Sequence, residues 1–488
     1  MNYKSTRSDL YVSDLQAVLQ GLAADGGLFA DESLSERPFD WEKCLSLDEL
    51  GMMEMILHHV LPGFEDMGDL VKKAYAGKFE NDRISPVTKC GDDFVMELYH
   101  GPTSAFKDVA LSMLPRLITK AREQTGMTDE ILILTATSGD TGKAALEGFH
   151  DVPGTGIVVF YPDGGVSPVQ YAQMATQEGS NVRVCALKGN FDDCQRGVKA
   201  AFSALGGKNA CGRQLSSANS INIGRLAPQI FYYFSAYAQL MAAGELSLGD
   251  EIDFVVPTGN FGDVLAGYYA RLLGLPVGRL VVASNENNIL ADFITTGVYD
   301  TRRPFLRTDS PSMDILVSSN LERLLFLACG CDSGKVKGWM ESLSKDGVYS
   351  VDKATLENIQ SVFSAGFATQ KECDAVCGKI WREHHYLIDP HTAVAFAVLE
   401  KTGRSGRKCV VLSTASPYKF PAAVLRSIGG DTSGDEFDQM EKLEKLTNVP
   451  VPANLADLRS RKVLHRDIIE KNSVVEYVSK ILEGGISG

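Results

Sequence analysis

Cysteine and histidine are scarce in this chain, ten and eight among 488 residues, and their spacing does not form the usual metal sites. No two Cys-x-x-Cys pairs occur. Cys329 and Cys331 stand too close for a routine structural pair, and Cys373 and Cys377 would share a helix face, so all four read as ordinary thiols. The adjacent histidines His58-His59 and His384-His385 have no spaced second pair and no His-Glu-x-x-His arrangement. No metal is expected, and thiols outside a disulfide framework suit a reducing, cytoplasmic compartment. An excess of positive charge is also missing. With 48 basic against 62 acidic residues, a formal charge of −14 argues against nonspecific nucleic-acid or anionic-membrane binding. No apolar run reaches membrane-spanning length. The first twenty residues carry acids and lack a long apolar core, which speaks against a secretory signal or an arginine-rich transit peptide. Internal repeats and low-complexity tracts are absent too. What remains is an ordinary globular chain, 44% hydrophobic and long enough for roughly two to four domains. An anionic small substrate would need local cationic relief within it.

The most informative segment is His100-Gly101-Pro102-Thr103-Ser104-Ala105-Phe106-Lys107, with Asp108 behind it. Pro102 and the hydroxyls of Thr103 and Ser104 are helix-start signals, and Phe106, Val109, Ala110, Met113, Leu114 and Leu117 then recur at helical spacing. Pro115 is placed to kink that helix late in its course. Lys107 lies beside the apolar face, where burial favours the neutral amine that attacks aldehydes; the alternative is a lysine that snorkels to solvent. Further on, the strand-like run Ile131 to Leu134 enters Thr135-Ala136-Thr137-Ser138-Gly139-Asp140-Thr141-Gly142, followed by a helical pattern from Lys143. Such a loop aims amide N–H groups and a helix dipole at one point, with Ser138 and Thr141 adding hydroxyls, so it suits a carboxylate or phosphate. Asp253 to Val256, the loop Pro257-Thr258-Gly259-Asn260-Phe261-Gly262 and the helix pattern Asp263 to Leu273 repeat the architecture. Neither loop is a nucleotide fingerprint. Thr137 occupies the place of the first P-loop glycine, Ala144 that of the magnesium-binding hydroxyl, and Gly259 to Gly262 lacks the three-glycine spacing.

Together these residues resemble the pyridoxal-phosphate enzymes of the tryptophan synthase β-subunit type, and within them the threonine synthases. Asp25-Gly26-Gly27-Leu28-Phe29, Gly189 to Asp193, Ser217 to Asn222 with Arg225, Asp389-Pro390-His391-Thr392-Ala393 and Ser413 to Pro417 extend the resemblance over residues of roughly 25 to 420. It implies a fold type II α/β enzyme with two open, mostly parallel sheets flanked by helices and an N-terminal, mainly helical cap. It also implies pyridoxal 5'-phosphate bound through Lys107, Phe106, Asp140, Gly259, Asn260, Phe261, Gly262 and Thr414, with Lys107 catalytic. Ser138, Gly139 and Thr141 would take the substrate carboxylate, and Arg196, Ser220, Asn222 and Arg225 its phosphate, because guanidinium forks suit tetrahedral oxyanions. The implied reaction is O-phospho-L-homoserine plus water to L-threonine plus phosphate, by γ-elimination and β-addition of water. Ser416 and Tyr418 depart from the Thr-Ala-His-Pro-Ala-Lys-Phe of many relatives, whereas Thr414, Pro417, Lys419 and Phe420 keep it.

Strand-like runs alternate with helical patterns at Gly156 to Phe160, Val182 to Leu187, Leu280 to Ala283 and Cys409 to Leu412, as parallel sheets require. The expected division is a cap over 1–85, a smaller α/β domain with the lysine and substrate loop over 86–225, a larger α/β domain with the phosphate cup over 226–430, and a helical extension over 431–488. A monomer is expected. Three alternatives stay open: a phospholyase releasing a keto acid, a serine or threonine dehydratase, and a non-catalytic amino-acid-binding paralogue.

Overall fold

The computed structural model describes residues 2–80, 83–137, 139–205 and 212–485. Its two principal sheets follow from apolar runs too short for helices and buried on both faces, a pattern that parallel strands under helices produce. Thr155–Pro162 and Ile252–Pro257 are buried at every position. The larger sheet runs Phe363–Phe367, Val277–Ser284, Ile252–Pro257, Lys408–Ser413, Asp93–Glu97, Val87–Cys90, with every neighbouring pair parallel except the last. The smaller sheet runs Asp467–Glu470, Val182–Lys188, Thr155–Pro162, Glu130–Ala136, Arg213–Ser216, all parallel. Two loops at strand C-terminal ends, Thr137 to Gly139 and Thr258 to Phe261, lead into the helices Asp140–Phe149 and Gly262–Leu272.

Strand pairing adds three features to the expected division. Val87–Cys90 and Asp93–Glu97 belong to the larger sheet, because Val410, Val411, Leu412 and Ser413 pair with Phe94, Val95, Met96 and Glu97 across most of the chain's length. The C-terminal extension is not purely helical: Asp467–Glu470 adds an edge strand to the smaller sheet, and Val474–Gly484 buries Val474, Val478, Ile481 and Leu482 against the helix Phe191–Leu205. The N-terminal cap, mainly helical as expected, also carries a three-stranded antiparallel sheet of Asn2–Ser5, Tyr11–Ser13 and Phe29–Ala30.

The lysine helix spans Lys107–Thr125 without interruption at Pro115. Proline has no N–H to give the carbonyl four residues earlier, so the Leu111 carbonyl is released from the helix ladder. The neighbouring helix Asp140–Phe149 exploits this by bringing Gly148 against it. A Cβ at Gly148 would lie 2.0 Å from the Leu111 oxygen, backbone that has no flexible end to move away. Proline and glycine therefore act as a pair that lets the lysine helix and the substrate-loop helix pack backbone to backbone. Gly148→Ala should lower stability by about 1–3 kcal/mol through overpacking, seen as a lower urea midpoint, whereas Gly164→Ala, in open space at positive φ, should cost no more than about 1 kcal/mol.

Candidate active site

Three distant segments meet around Lys107. The Phe106 amide donates to the Thr414 carbonyl at 2.9 Å and the Ser416 amide to the Ser104 carbonyl at 3.1 Å, forming an antiparallel bridge between Ala105 and Ala415. The Tyr232 hydroxyl donates to the Phe106 carbonyl at 2.7 Å. From the C-terminal extension, Asn454 Nδ2 donates to the carbonyls of Gly101 and Pro102 and its Oδ1 accepts from Ser104 Oγ, holding Ser104 in the left-handed region at φ 58°. Asp108 completes the helix start by accepting from the Thr103 amide and hydroxyl. These contacts leave the Lys107 side chain little freedom before any ligand arrives.

Its surroundings set its chemistry. Lys107 is 8% exposed, and burial, partly offset by Asp140 and reinforced by Lys419 and Arg225, lowers its basicity to about 8. The ammonium lies 4.8 Å from the Phe106 ring centroid and donates to Ser312 Oγ at 3.3 Å. Asp140 is equally buried, which alone would raise its pKa, yet Lys419 and Lys107 together hold it well below the usual carboxylate range. Lys419 Nζ lies 2.8 Å from Asp140 Oδ1 and donates to the Thr103 carbonyl at 3.0 Å, and Gln170 Nε2 donates to the same carboxylate oxygen at 3.1 Å. Burial pushes Asp108 up to about 6 against the hydrogen bonds from Thr103. One buried pocket thus holds an amine of lowered basicity beside an ion pair.

Two anion cradles flank it. At the start of the helix Asp140–Phe149, Thr137 Oγ1 accepts from the Gly139 and Gly142 amides, while the Asp140 and Thr141 amides donate to no other described residue. Gly139 has φ 145°, and a Cβ there would meet the Gln170 side-chain amide at 2.3 Å, so only glycine fits. Ser138 lies outside the described residues. At the second cradle, none of the Gly259, Asn260, Phe261 or Gly262 amides donates to another described residue, and the carbonyls of Gly259 and Asn260 are pinned from behind by Ser318 Oγ and Asn320. Phe261 takes φ 61°, turning these donors toward one point at the helix start. Thr414, 5% exposed, sits at the end of the strand Lys408–Ser413.

The expected phosphate-binding group divides. Arg225 is 3% exposed, and its Nη1 donates to the Ala218 carbonyl while its Nε has no partner among the described residues. Burial lowers its pKa to about 10, and no carboxylate neutralises it. Arg196, by contrast, is exposed on the helix Phe191–Leu205 and paired with Asp193, so it is not among the charges facing Lys107. Asn222 is occupied with structure: its Oδ1 caps the helix Ile223–Leu226 through the Gly224 amide, and its Nδ2 donates to the Val18 carbonyl of the cap. The Ser220 carbonyl accepts from Asn320 Nδ2. Sequence reasoning did not place Lys419, Ser312 or Gln170 at this site. Among the described residues no group of His, Cys, Asp and Glu is placed to hold a metal, nine cysteines are free thiols, and no helix is long and apolar enough to cross a membrane.

The family model described as pyridoxal-phosphate dependent enzyme matches residues 82–415, and that described as threonine synthase, C-terminal, matches 392–475. The chain is 36% identical to the threonine synthase of Saccharomyces cerevisiae over 98% of each sequence. It is also 36% identical to threonine synthase-like 1 of Homo sapiens, with 85% of this chain aligned to 58% of that longer protein. The crystal structure of a pyridoxal-phosphate-bound threonine synthase from Brucella melitensis superimposes with a TM-score of 0.88 at 36% identity, covering 100% of this chain and 99% of that one.

The lowered basicity of Lys107 has a stability consequence. Its folded-state value near 8 lies below its ordinary 10.5, so the charged amine opposes folding fully below about 8, and the opposition fades as pH rises towards 10.5. In cofactor-stripped protein, Lys107→Met should therefore raise unfolding free energy at pH 7 by up to about 3 kcal/mol, with the gain shrinking from pH 8 to 10. Urea titrations across that range check it. Lys419→Met should act oppositely by breaking the buried ion pair with Asp140, costing about 3–5 kcal/mol in the same assay.

Proposed function

The chain belongs to the threonine synthase family of pyridoxal-phosphate-dependent enzymes, and on that premise we propose that it converts O-phospho-L-homoserine and water to L-threonine and phosphate. The observation that carries this reading is the convergence of a buried amine, Lys107, with a buried guanidinium lacking any carboxylate partner, Arg225. The residues fit the cofactor. A cup of four amides from Gly259 to Gly262 suits its phosphate, Phe106 and Lys107 would hold its reactive end, and Thr414 would offer a hydroxyl to its ring nitrogen. When bound, pyridoxal phosphate supplies an aldehyde for the substrate amine and a conjugated ring that delocalises charge from the α-carbon.

Lys107 holds the cofactor and then serves as base, its basicity near 8 leaving a usable unprotonated fraction around neutral pH. Asp140 and Lys419 form a buried ion pair that would lie beside the cofactor's phenolic oxygen and share a proton there. A hydroxyl at Thr414, unlike a carboxylate, does not enforce a protonated ring nitrogen, which weakens the electron sink and disfavours transamination. The free amides of Asp140 and Thr141, with the Thr141 hydroxyl, receive the substrate carboxylate. Arg225 receives the substrate phosphate, whereas Arg196 is exposed and paired with Asp193. A dehydratase would have no use for a second, deeply buried cation, and a non-catalytic binder none for an amine of lowered basicity. Free thiols and the absence of any membrane-crossing helix among the described residues suit a cytoplasmic enzyme.

Incubation with pyridoxal phosphate and O-phospho-L-homoserine should release threonine and phosphate in equal amounts, and Lys107→Ala should abolish both. Phosphate with 2-oxobutyrate would reassign the chain as a phospholyase, and no phosphate release from cofactor-loaded protein would reject the proposal. Arg225→Gln should lower kcat/KM for the phosphorylated substrate about 10- to 100-fold, while Arg196→Gln should stay within about threefold, both read from initial rates.

A further inference from the structure

Ser312 belongs to the short 3-10 turn Pro311–Met313, far from Lys107 in sequence, yet its Oγ is the hydrogen-bond acceptor for the Lys107 amine at 3.3 Å. The turn is anchored on two sides. On one, the Ser312 amide donates to His391 Nε2 at 3.3 Å. An Nε2 that accepts leaves the ring proton on Nδ1, which donates to Asp389 Oδ2 at 2.6 Å. His391 is 2% exposed and Asp389 0%, and the Phe420 ring lies edge-on to the imidazole at 5.1 Å between centroids. On the other side, Asp314 Oδ1 accepts from Asn285 Nδ2, Asn287 Nδ2 and Thr308 Oγ1 at 2.8, 3.0 and 2.8 Å, tying the turn to the end of the strand Val277–Ser284. A Cβ on Gly259 would come within 2.6 Å of the Ser312 carbonyl, so the same turn also abuts the amide cup.

We propose that Ser312 is a catalytic group that holds the Lys107 amine whenever that lysine is not bonded to the cofactor, and that His391, braced by Asp389, is a positioning residue that keeps Ser312 in place. The inference rests on the reading of Lys107 as the cofactor-bearing base. In that reading Lys107 would be free of the cofactor while it acts as a base. A buried amine on a flexible four-carbon stem does this reproducibly only if one partner restrains it. Ser312 Oγ accepts one N–H at 3.3 Å and so restrains where the amine rests. After Lys107 takes a proton, the same oxygen accepts from the ammonium. His391 does not exchange protons in this scheme, because both of its nitrogens are committed. The charged groups facing Lys107 are Asp140, Lys419, Arg225 and Asp108, and those facing His391 are Asp389, Asp140 and Asp314.

The test uses the full-length chain in two states. In cofactor-stripped protein, the pH dependence of Lys107 labelling by trace acetic anhydride, read by peptide mass spectrometry, reports the amine directly. Ser312→Ala should move the Lys107 titration down by about half a pH unit or more, since the ammonium loses its acceptor. In loaded enzyme it should lower kcat about tenfold or more with KM within about twofold. His391→Ala should reproduce both effects, and His391→Gln, whose Oε1 can take the Ser312 N–H in place of Nε2, should restore most of them. An unmoved titration in Ser312→Ala at wild-type kcat overturns the assignment. A loss of activity in His391→Ala without a moved titration overturns the positioning role. Failure of the wild-type chain to make threonine would reject the functional reading alone, because the labelling result stands apart from the product formed.

Discussion

The constraint on which the rest of this structure depends is the cost of keeping an amine dry. Lys107 must be buried to be nucleophilic at neutral pH, and a buried cation attracts every polar group that can reach it. Left unopposed, Asp140 would simply pair with it and restore its basicity. Lys419 prevents this by taking Asp140 for itself at 2.8 Å, so the lysine keeps a carboxylate nearby without being neutralised by it. The same logic explains Asp108, which faces the helix start and is satisfied by Thr103 rather than by Lys107. Charges in this pocket are arranged in matched sets, leaving Lys107 and Arg225 as the two cations without a carboxylate hydrogen-bonded to them.

Those sets are assembled from pieces far apart in the chain. Lys107 reaches the pocket because Phe106 and Ser104 bond to Thr414 and Ser416, and the strand Asp93–Glu97 that leads to it lies in the larger sheet beside Lys408–Ser413. The smaller sheet supplies the loop at Gly139 and the larger one the loop at Gly259, each at the C-terminal ends of parallel strands where loop amides are free to face a ligand. Pro115 and Gly148 then fix how closely the lysine helix and the loop helix approach.

Much of this was legible in the sequence where the signal is local. Apolar runs followed by glycine-rich polar loops located both cradles, and Pro102, Thr103 and Ser104 announced the start of the lysine helix. What escaped depended on partners distant in sequence. Asp93–Glu97 is too short and too mixed to declare its sheet, which is decided by pairing with Val410 to Ser413. Lys419 sat in a recognised motif, yet only the fold shows it facing Asp140; the clue available was a buried-looking aspartate in need of a countercharge. Arg196 was chosen for its chemistry, and chemistry alone does not say which way a helix face points; Asp193, three residues earlier, was a local partner in plain view. Asn222 carried its own warning, since an asparagine ahead of Ile223-Gly224 is as good a helix cap as it is a ligand.

The staple from Asn454 to the carbonyls of Gly101 and Pro102 and to Ser104 Oγ bears on how the protein is made. The lysine loop emerges during synthesis well before the residues that shape it, Thr414 to Ser416 and Asn454. The edge strand Asp467–Glu470 that completes the smaller sheet comes later still. The pocket can close only after the segments carrying Thr414 to Ser416 and Asn454 have left the exit tunnel. The buried surroundings that lower the basicity of Lys107 therefore require segments made long after the lysine itself.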